Sequence, residues 1–206
     1  MYKVFIQHRA IIFTENLTSC EISDEDSLIH TNRLEDVLPA YQKFINENTS
    51  GNLVFLLKDE MSAFVYKFFS NFELISAAGG LIVNPKGELL MIRRFSKWDL
   101  PKGKIETNEE IQTAAIRECI EETALQNMSI VKELGSTYHI YEINYKPMLK
   151  RTYWFLMKTD SDNELIPQLE EGIEEAKWMK RDEVIEALKD SYDSLKDLIT
   201  HNYLQQ

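Results

Sequence analysis

The pattern of apolar and polar residues divides the chain into two stretches, each containing helices and strands. In the first stretch, short apolar runs predict strands, and apolar residues at helical spacing predict helices. The predicted strands cover 2–6, 10–14 and 53–57, and a predicted helix covers 34–45. Residues 61–69 are predicted as either a short aromatic helix or a second apolar run. This order predicts a small, compact α/β unit over residues 1–70.

From residue 74 onward the same pattern predicts a larger unit. The predicted elements are strands at 75–83, 88–94, 129–145 and 150–157, a helix beginning at 111 and a closing helix at 183–198. Gly79 and Gly80 lie inside the first of these strands, where the missing side chains allow another backbone to approach. We expect Pro147 to end the long third strand and Asp182 to cap the closing helix.

Composition and charge narrow the class of protein. The chain has 206 residues, more than one small core requires, and 34 acidic against 23 basic residues give a net charge of −11. This balance argues against a surface that coats nucleic acid, so nucleic acid is not an expected partner. Charged residues among the first ten positions interrupt the apolar core that a signal peptide would need, and no apolar run is long enough to span a membrane. These features predict a cytoplasmic protein with no membrane partner. Cys20 and Cys119 lack a neighbouring base, and we predict neither a disulfide nor a catalytic cysteine.

Three carboxylates share one stripe of the helix that begins at 111. Glu118, Glu121 and Glu122 are spaced by three and four residues, while Ile116 and Cys119 fall about half a turn away and are predicted to face a sheet. We therefore expect the carboxylates to point away from the core together. Like charges at this spacing repel, so a cation among them would be stabilising, and hard oxygen donors suit Mg²⁺ or Mn²⁺. The alternative is a solvated acidic face.

The register of the whole segment favours the metal site, because it resembles the signature of the Nudix hydrolase family, G-x5-E-x7-R-E-U-x-E-E-x-G-U, with U aliphatic. The matching positions are Gly103, Glu109, Arg117, Glu118, Glu121, Glu122 and Leu125. Cys119 stands at an aliphatic position, where a buried thiol packs as a small hydrophobe. Ala124 replaces the late glycine, which costs about 1 kcal/mol if that residue is left-handed.

The resemblance implies a fold and a reaction. It implies an α/β/α sandwich with a mixed sheet over residues 73–206, and the preceding residues 1–72 form a separate small α/β domain. It also implies Mg²⁺- or Mn²⁺-dependent hydrolysis of a phosphoanhydride bond in a nucleotide or another small molecule that contains a diphosphate.

The resemblance further implies roles for individual residues. The implied metal ligands are the side chains of Glu118, Glu121 and Glu122 and the backbone carbonyl of Lys102. Either Glu118 or Glu171 is the implied base, although Glu171 could equally be a plain surface acid. Arg117 belongs to the implied catalytic set and is expected to pair with Glu109, which together with Gly103 has a structural role.

Cationic residues around the signature are candidate phosphate donors. These candidates are Arg93, Arg94, Lys102, Lys104, and Lys150 or Arg151, with a solvated strand end as the alternative for the first two. Tyr141 resembles a tyrosine that follows the signature in several hydrolases of dinucleoside polyphosphates. The strand at 150–157 also looks like a stretch of diphosphoinositol polyphosphate and diadenosine polyphosphate hydrolases.

Three functions are therefore compatible with the sequence. The first is hydrolysis of a nucleoside diphosphate linked to another moiety, with a dinucleoside polyphosphate as the favoured substrate. The second is a pyrophosphatase that removes modified nucleoside triphosphates, and the third is a non-catalytic module that senses a nucleotide. The role of the first unit is open: a homodimer contact, a specificity lid and a docking surface for a partner are all compatible with its sequence.

Overall fold

The computed structural model describes residues 1–47, 50–160 and 164–205. The strands, in chain order, are β1 (Tyr2–Ile6), β2 (Arg9–Thr14), β3 (Ser27–His30), β4 (Leu53–Leu56), β5 (Glu73–Val83), β6 (Leu89–Arg94), β7 (Lys97–Asp99), β8 (Lys102–Lys104), β9 (Met128–Ile143), β10 (Lys146–Thr159) and β11 (Ile173–Met179). The α-helices are α1 (Leu34–Asn46), α2 (Met61–Phe69), α3 (Ile111–Thr123), α4 (Arg181–Ala187) and α5 (Asp193–Ile199). Within these ranges, no helix is long and apolar enough to cross a membrane.

The chain folds as two compact units. The first unit comprises Met1–Leu74 and Tyr138–Lys150, and the second comprises Ile75–Thr137 and the chain from Arg151 onward. The hairpin of β9 and β10 therefore contributes residues to both units. The domain boundary after residue 72 stays a prediction from the sequence.

The first unit contains the predicted order of strands and helices plus one further strand. β1 pairs with β2 in antiparallel fashion, β4 lies parallel to both β2 and β3, and β1 is also parallel to β9. Its core is rich in aromatic rings: Phe13 stacks on Phe55 with ring centroids 5.3 Å apart, and Phe68 packs edge-on against Tyr41. The sequence did not indicate β3, which has only four residues and mostly exposed side chains.

The second unit is the α/β/α sandwich that the resemblance implies. Its strands follow the order β11-β6-β5-β10-β9, with β7 paired to β6 and β8 paired to β5. Along β6, Leu89 and Met91 pack with the α4 and α5 side, whereas Leu90 packs with Ala115 and Cys119 of α3. Because neighbouring strand residues point to opposite faces, this alternation shows that helices cover both faces of the sheet.

Two expectations about the end of the chain were wrong. The predicted continuous helix over 183–198 is two helices, α4 and α5, separated by a 3₁₀ turn at Leu188–Asp190. Asp182 is not the cap, because it lies in the first turn of α4 and Lys180 holds the N-cap position. The backbone N–H of Lys180 donates to the Glu183 carboxylate at 2.8 Å, so the acid that serves this helix end is one residue further along.

The prediction that Pro147 ends the long strand was also wrong. Pro147 lies within β10. The chain reverses before β10 begins, at Asn144 and Tyr145, which have φ angles of 50° and 63°. Two consecutive left-handed residues are the conformation that a tight hairpin requires, and asparagine tolerates it well.

Candidate active site

The acidic residues of α3 differ in their exposure to solvent. Glu118 is 6% exposed and Glu122 is fully buried, while the Glu121 side chain is 47% exposed. The core positions of this helix are occupied by Ala114, Ala115 and Cys119. The expectation that all three carboxylates point away from the core was therefore wrong for Glu118 and Glu122, because the loop before the signature covers them.

This loop is the lead-in to the signature, and glycines bring it close. Gly79 of β5 pairs with Lys102 of β8, and a side chain on Gly79 would collide with the Pro101 carbonyl and the Lys102 side chain. A side chain on Gly103 would collide with the carboxylate of Glu118. Both glycines are thus required by close approach, as the sequence indicated for the first of them.

Arg117 holds the signature together through charge-assisted hydrogen bonds. Its Nε and Nη2 donate to the two carboxylate oxygens of Glu109, each at 2.8 Å, which is the pairing that the sequence predicted. Its Nη1 donates to Glu118 at 2.7 Å and to Glu121 at 2.9 Å, and its Nη2 also reaches the Lys104 carbonyl at 3.0 Å. The guanidinium therefore neutralises part of the charge on the acidic helix and ties the loop to it.

These contacts and burial shift the pKa values of the acids in opposite directions. Hydrogen bonds from Arg117, together with the backbone N–H of Glu106, lower the pKa of Glu109 to about 2. Burial raises the pKa of Glu118, although Arg117 opposes the shift. Burial also raises the pKa of Glu122 to about 7, against the opposing charges of Lys102 and Arg94.

Glu122 is only half satisfied by hydrogen bonds. Its Oε2 accepts from the backbone N–H of Lys102 at 2.9 Å. Its Oε1 is buried and has no hydrogen-bond partner, and Arg94 Nη1 lies 3.7 Å away, too far for a hydrogen bond. A buried carboxylate oxygen without a partner costs free energy unless a cation or another donor binds it.

The late loop is attached to the end of α3 by backbone hydrogen bonds. The carbonyls of Glu122 and Thr123 accept from the N–H groups of Gln168 and Ile166, at 3.2 Å and 2.9 Å. These carbonyls have no partner within the helix, so the loop satisfies them. This attachment fixes the loop that carries Glu171 beside the acidic helix.

Arg94 connects Glu171 to the buried acid. Its Nη2 lies 3.7 Å from the Glu171 carboxylate, and its Nη1 lies at the same distance from Glu122. The Glu171 side chain is 42% exposed, in contrast to Glu122. The structure thus brings Arg94 and Glu171, two of the residues predicted from the sequence, to the acidic cluster.

Most of the other candidate phosphate donors lie outside the acidic cluster of α3. Arg93 points to the opposite face of β6 from Arg94, where it lies over the Trp98 ring and 3.8 Å from the Glu174 carboxylate. Arg151 lies over the Tyr153 ring and donates to Ser136. Lys104 is exposed, and its carbonyl rather than its side chain takes part in the cluster. Two further candidates, Tyr141 and Lys150, belong to the first unit.

Asp99 is a site residue that the sequence did not indicate. It is 3% exposed, and its carboxylate accepts from the Lys102 ammonium at 2.5 Å and from the backbone N–H of Leu100 at 2.7 Å. The sequence signal would have been a charged residue inside the otherwise apolar lead-in at 98–101, where a carboxylate needs a buried partner.

The residues present fit a hard divalent cation. In the described ranges, no three His, Cys, Asp or Glu side chains are already gathered as a ligand set, and Arg117 contacts both Glu118 and Glu121. The donors are nevertheless all oxygen atoms, and one of them, Oε1 of Glu122, is buried without a partner. Oxygen donors of this kind suit Mg²⁺ or Mn²⁺.

The sandwich and its acidic helix define a Nudix protein. The NUDIX domain model matches residues 73–201, which is more than half of the chain, and the chain belongs to the Nudix family. It is accordingly a pyrophosphohydrolase that acts on nucleoside diphosphate derivatives, as members of the family do with divalent cations.

Individual relatives show the extent of the similarity. An RNA pyrophosphohydrolase of Pelagibacter ubique is 25% identical over 134 residues, covering 58% of this chain and 85% of the relative. An RNA pyrophosphohydrolase of Bartonella henselae is 32% identical over 74 residues, covering 31% of this chain and 43% of the relative. The crystal structure of a MutT protein from Methanosarcina mazei matches with a TM-score of 0.50 and 22% identity, covering 63% of this chain and 93% of that one, and it supports the fold alone.

Proposed function

We propose that this protein hydrolyses a phosphoanhydride bond of a nucleoside diphosphate linked to a second moiety, with Mg²⁺ or Mn²⁺, and that a dinucleoside polyphosphate is the favoured substrate. The observation that carries the proposal is the buried, half-satisfied carboxylate of Glu122, which lies beside Arg94 and Glu118. Buried charges without matched partners are concentrated at functional sites rather than in structural cores. The same cluster carries the family signature.

The acids have different proposed roles. Glu118, Glu121 and Glu122, with the Lys102 carbonyl, would hold the cation. When bound, the cation neutralises phosphate oxygens and makes water more acidic. Glu171 is the favoured base, because its half-exposed carboxylate can reach water, whereas Glu118 is buried and bonded to Arg117.

Cationic groups have two separate proposed roles. Arg94 lies between Glu122 and Glu171 and is placed to bind a phosphate oxygen of the substrate. Arg117 acts through the acids that it orients, because its donors are committed to Glu109, Glu118 and Glu121. Lys104, Lys150, Arg151, Arg93 and Tyr141 remain candidate substrate contacts from the sequence.

The proposal is tested by phosphate release across a panel of substrates with Mg²⁺. The panel contains a dinucleoside polyphosphate, an oxidised dGTP, a nucleoside diphosphate sugar and a 5′-triphosphorylated RNA, the last because two relatives are named RNA pyrophosphohydrolases. We expect release from the dinucleoside polyphosphate by the parent protein and loss of release in Glu121→Gln. The matched control is Glu133→Gln, which removes an exposed acid of β9 outside the cluster and should leave turnover unchanged.

Each other outcome selects a different function. Preference for oxidised dGTP selects the pyrophosphatase for modified nucleotides, and preference for the RNA end overturns the expectation that nucleic acid is not a partner. Binding of a nucleotide without release from any substrate selects the sensing module. The cytoplasmic location and a homodimer formed through the first unit also stay predictions, and light scattering tests the dimer.

A further inference from the structure

A buried ion pair lies directly beside the acidic cluster. The Lys102 ammonium is 2.5 Å from the Asp99 carboxylate, and the two side chains are 14% and 5% exposed. The family resemblance implies a metal-binding role for the carbonyl of Lys102, and it gives no role to Asp99. A buried ion pair is weak evidence for stability, since desolvation of both groups offsets most of their attraction. The pair therefore calls for another explanation.

Lys102 is positioned so that its ammonium could occupy the metal site. Its backbone N–H already donates to Oε2 of Glu122 at 2.9 Å, which brings the start of the side chain close to that acid. The lysine stem is flexible and its ammonium carries three donors, while Oε1 of Glu122 is buried and has no partner. An ammonium bound to Oε1 would compete directly with a divalent cation.

The charges around Lys102 decide which carboxylate it binds. Asp99 and Glu122 both attract the ammonium and Arg94 repels it, and the attraction keeps the pKa of Lys102 above its ordinary value although burial acts to lower it. In the structure the direct contact is made with Asp99. Arg94, the second cation near Glu122, stays at 3.7 Å, beyond hydrogen-bonding distance.

We propose that Asp99 is a positioning residue: it holds the Lys102 ammonium away from Glu122 and so leaves the buried oxygen of Glu122 available to a divalent cation. This inference rests on the proposed function, because it assumes that Glu122 is a metal ligand. Asp99 itself touches neither substrate nor reacting atoms in this scheme. Its effect is to remove an internal competitor for the metal site.

The test compares the metal affinity of a single variant and a double variant with that of the parent protein. Mn²⁺ affinity is measured without substrate, from the electron paramagnetic resonance signal of free Mn²⁺. In Asp99→Asn the ammonium loses its counter-charge and can turn to Glu122, so we expect Mn²⁺ affinity to fall by about tenfold or more. In the double variant Asp99→Asn with Lys102→Met the competitor is gone, and affinity should return to the parent value.

A matched control separates this effect from the loss of any ion pair. Lys189 and Glu186 form a pair with the same spacing along the chain and the same 2.5 Å distance, but both side chains are exposed. Glu186→Gln should leave Mn²⁺ affinity unchanged. A double variant that binds Mn²⁺ as weakly as Asp99→Asn would overturn the proposal, as would a folded Asp99→Asn variant with parent affinity.

A measurement on the parent protein covers the case in which Asp99→Asn does not fold. The ¹⁵N resonance of the Lys102 ammonium, assigned by its loss in Lys102→Met, should change little when Mg²⁺ is added, because the ammonium is already bound to Asp99. A large change on Mg²⁺ addition would show that the Lys102 ammonium is bound to Glu122 in the metal-free protein and leaves it when Mg²⁺ binds. This result would overturn the proposal. Failure of the parent itself to bind Mn²⁺ would instead count against the proposed function.

Discussion

The two units bury different kinds of side chain. In the first unit, Thr14 is the one buried polar residue in the part of the chain that the structure describes, and the rest of the core is apolar and rich in aromatic rings. The second unit buries three carboxylates, Asp99, Glu118 and Glu122, within the same small region. Since burial of a charge is costly, the difference indicates that the first core is organised for packing and the second also for chemistry.

This contrast predicts opposite consequences of substitution. Removing the buried charge of Glu122 from the second unit should harm function while sparing stability, because one oxygen of this carboxylate has no partner in the folded protein. Removing a buried ring from the first unit should harm stability while sparing the chemistry. The following predictions test the contrast, beginning with the largest effect.

Glu121→Gln and Glu122→Gln should each reduce turnover by orders of magnitude, because each removes a proposed metal ligand. The melting temperature should stay near the parent value for Glu121→Gln, whose side chain is half exposed. It should rise for Glu122→Gln, which removes a fully buried acid with an unpaired oxygen. Turnover assays and thermal melts of the metal-free variants measure both effects, and extensive unfolding of either variant would show that these acids are structural.

Phe68→Ala should destabilise the protein by about 3–5 kcal/mol, the usual cost of truncating a buried phenylalanine. The ring is fully buried and packs against Phe13, Tyr41 and Phe72. Denaturant unfolding measures the loss, and Phe68→Leu, which leaves a smaller cavity, should lose less. Turnover per folded molecule should remain at the parent level, since the acidic cluster belongs to the second unit. A loss of turnover comparable to that of Glu122→Gln would remove the contrast.

The stability of the metal-free protein should fall as pH rises from about 5 to about 7.5. Burial raises the pKa of Glu122 from 4.5 to about 7, so in this window the folded protein holds a proton that the unfolded chain has released. The linked loss is on the order of 3 kcal/mol. Unfolding free energies across this range measure it, and Glu122→Gln should flatten the curve.

Glu109 acts with the opposite sign in a separate window. Its pKa is lowered to about 2 by Arg117, so its contribution to the free energy of unfolding is present above about pH 4.5 and is lost as pH falls towards 2.

An unfolding free energy of the parent protein that rises between about pH 5 and about 7.5 would contradict the buried, ionisable state of Glu122.

Ala124→Gly should stabilise the protein by about 1 kcal/mol, the smallest effect in this series. Ala124 ends α3 with φ of 57°, in the left-handed region where alanine is strained and glycine is not. Gln112→Gly, at an exposed position inside the same helix, is the control and should destabilise. Equal effects of the two substitutions would show that the gain at Ala124 is unrelated to its backbone conformation.

The sequence predicted many of the local elements. Helical spacing predicted α1 and α3, while 61–69, which the sequence left open between a helix and an apolar run, is α2. The family resemblance implied the pair of Arg117 and Glu109, which the structure contains. These features depend on residues within about one signature length of each other, and the α-helical repeat fixes which of them meet.

Other features required the tertiary structure, because they depend on which segments pack against α3. The lead-in loop at 101–104 and the late loop at 166–168 cover the end of α3 and bury Glu118 and Glu122, which helical spacing alone placed on an open face. The same folding brings Arg94 between Glu122 and Glu171. A helical repeat specifies which side chains share a face, but burial of that face depends on what packs against it.

The sequence by itself therefore determined the family and the acidic helix with its three glutamates. Only the tertiary structure decided which acid is buried, which remains open to water, and that Asp99 holds the Lys102 ammonium. The physical reason is that charge and hydrogen-bonding capacity are properties of single residues. Desolvation and the choice of ion-pair partner, in contrast, depend on how the surrounding segments pack around those residues.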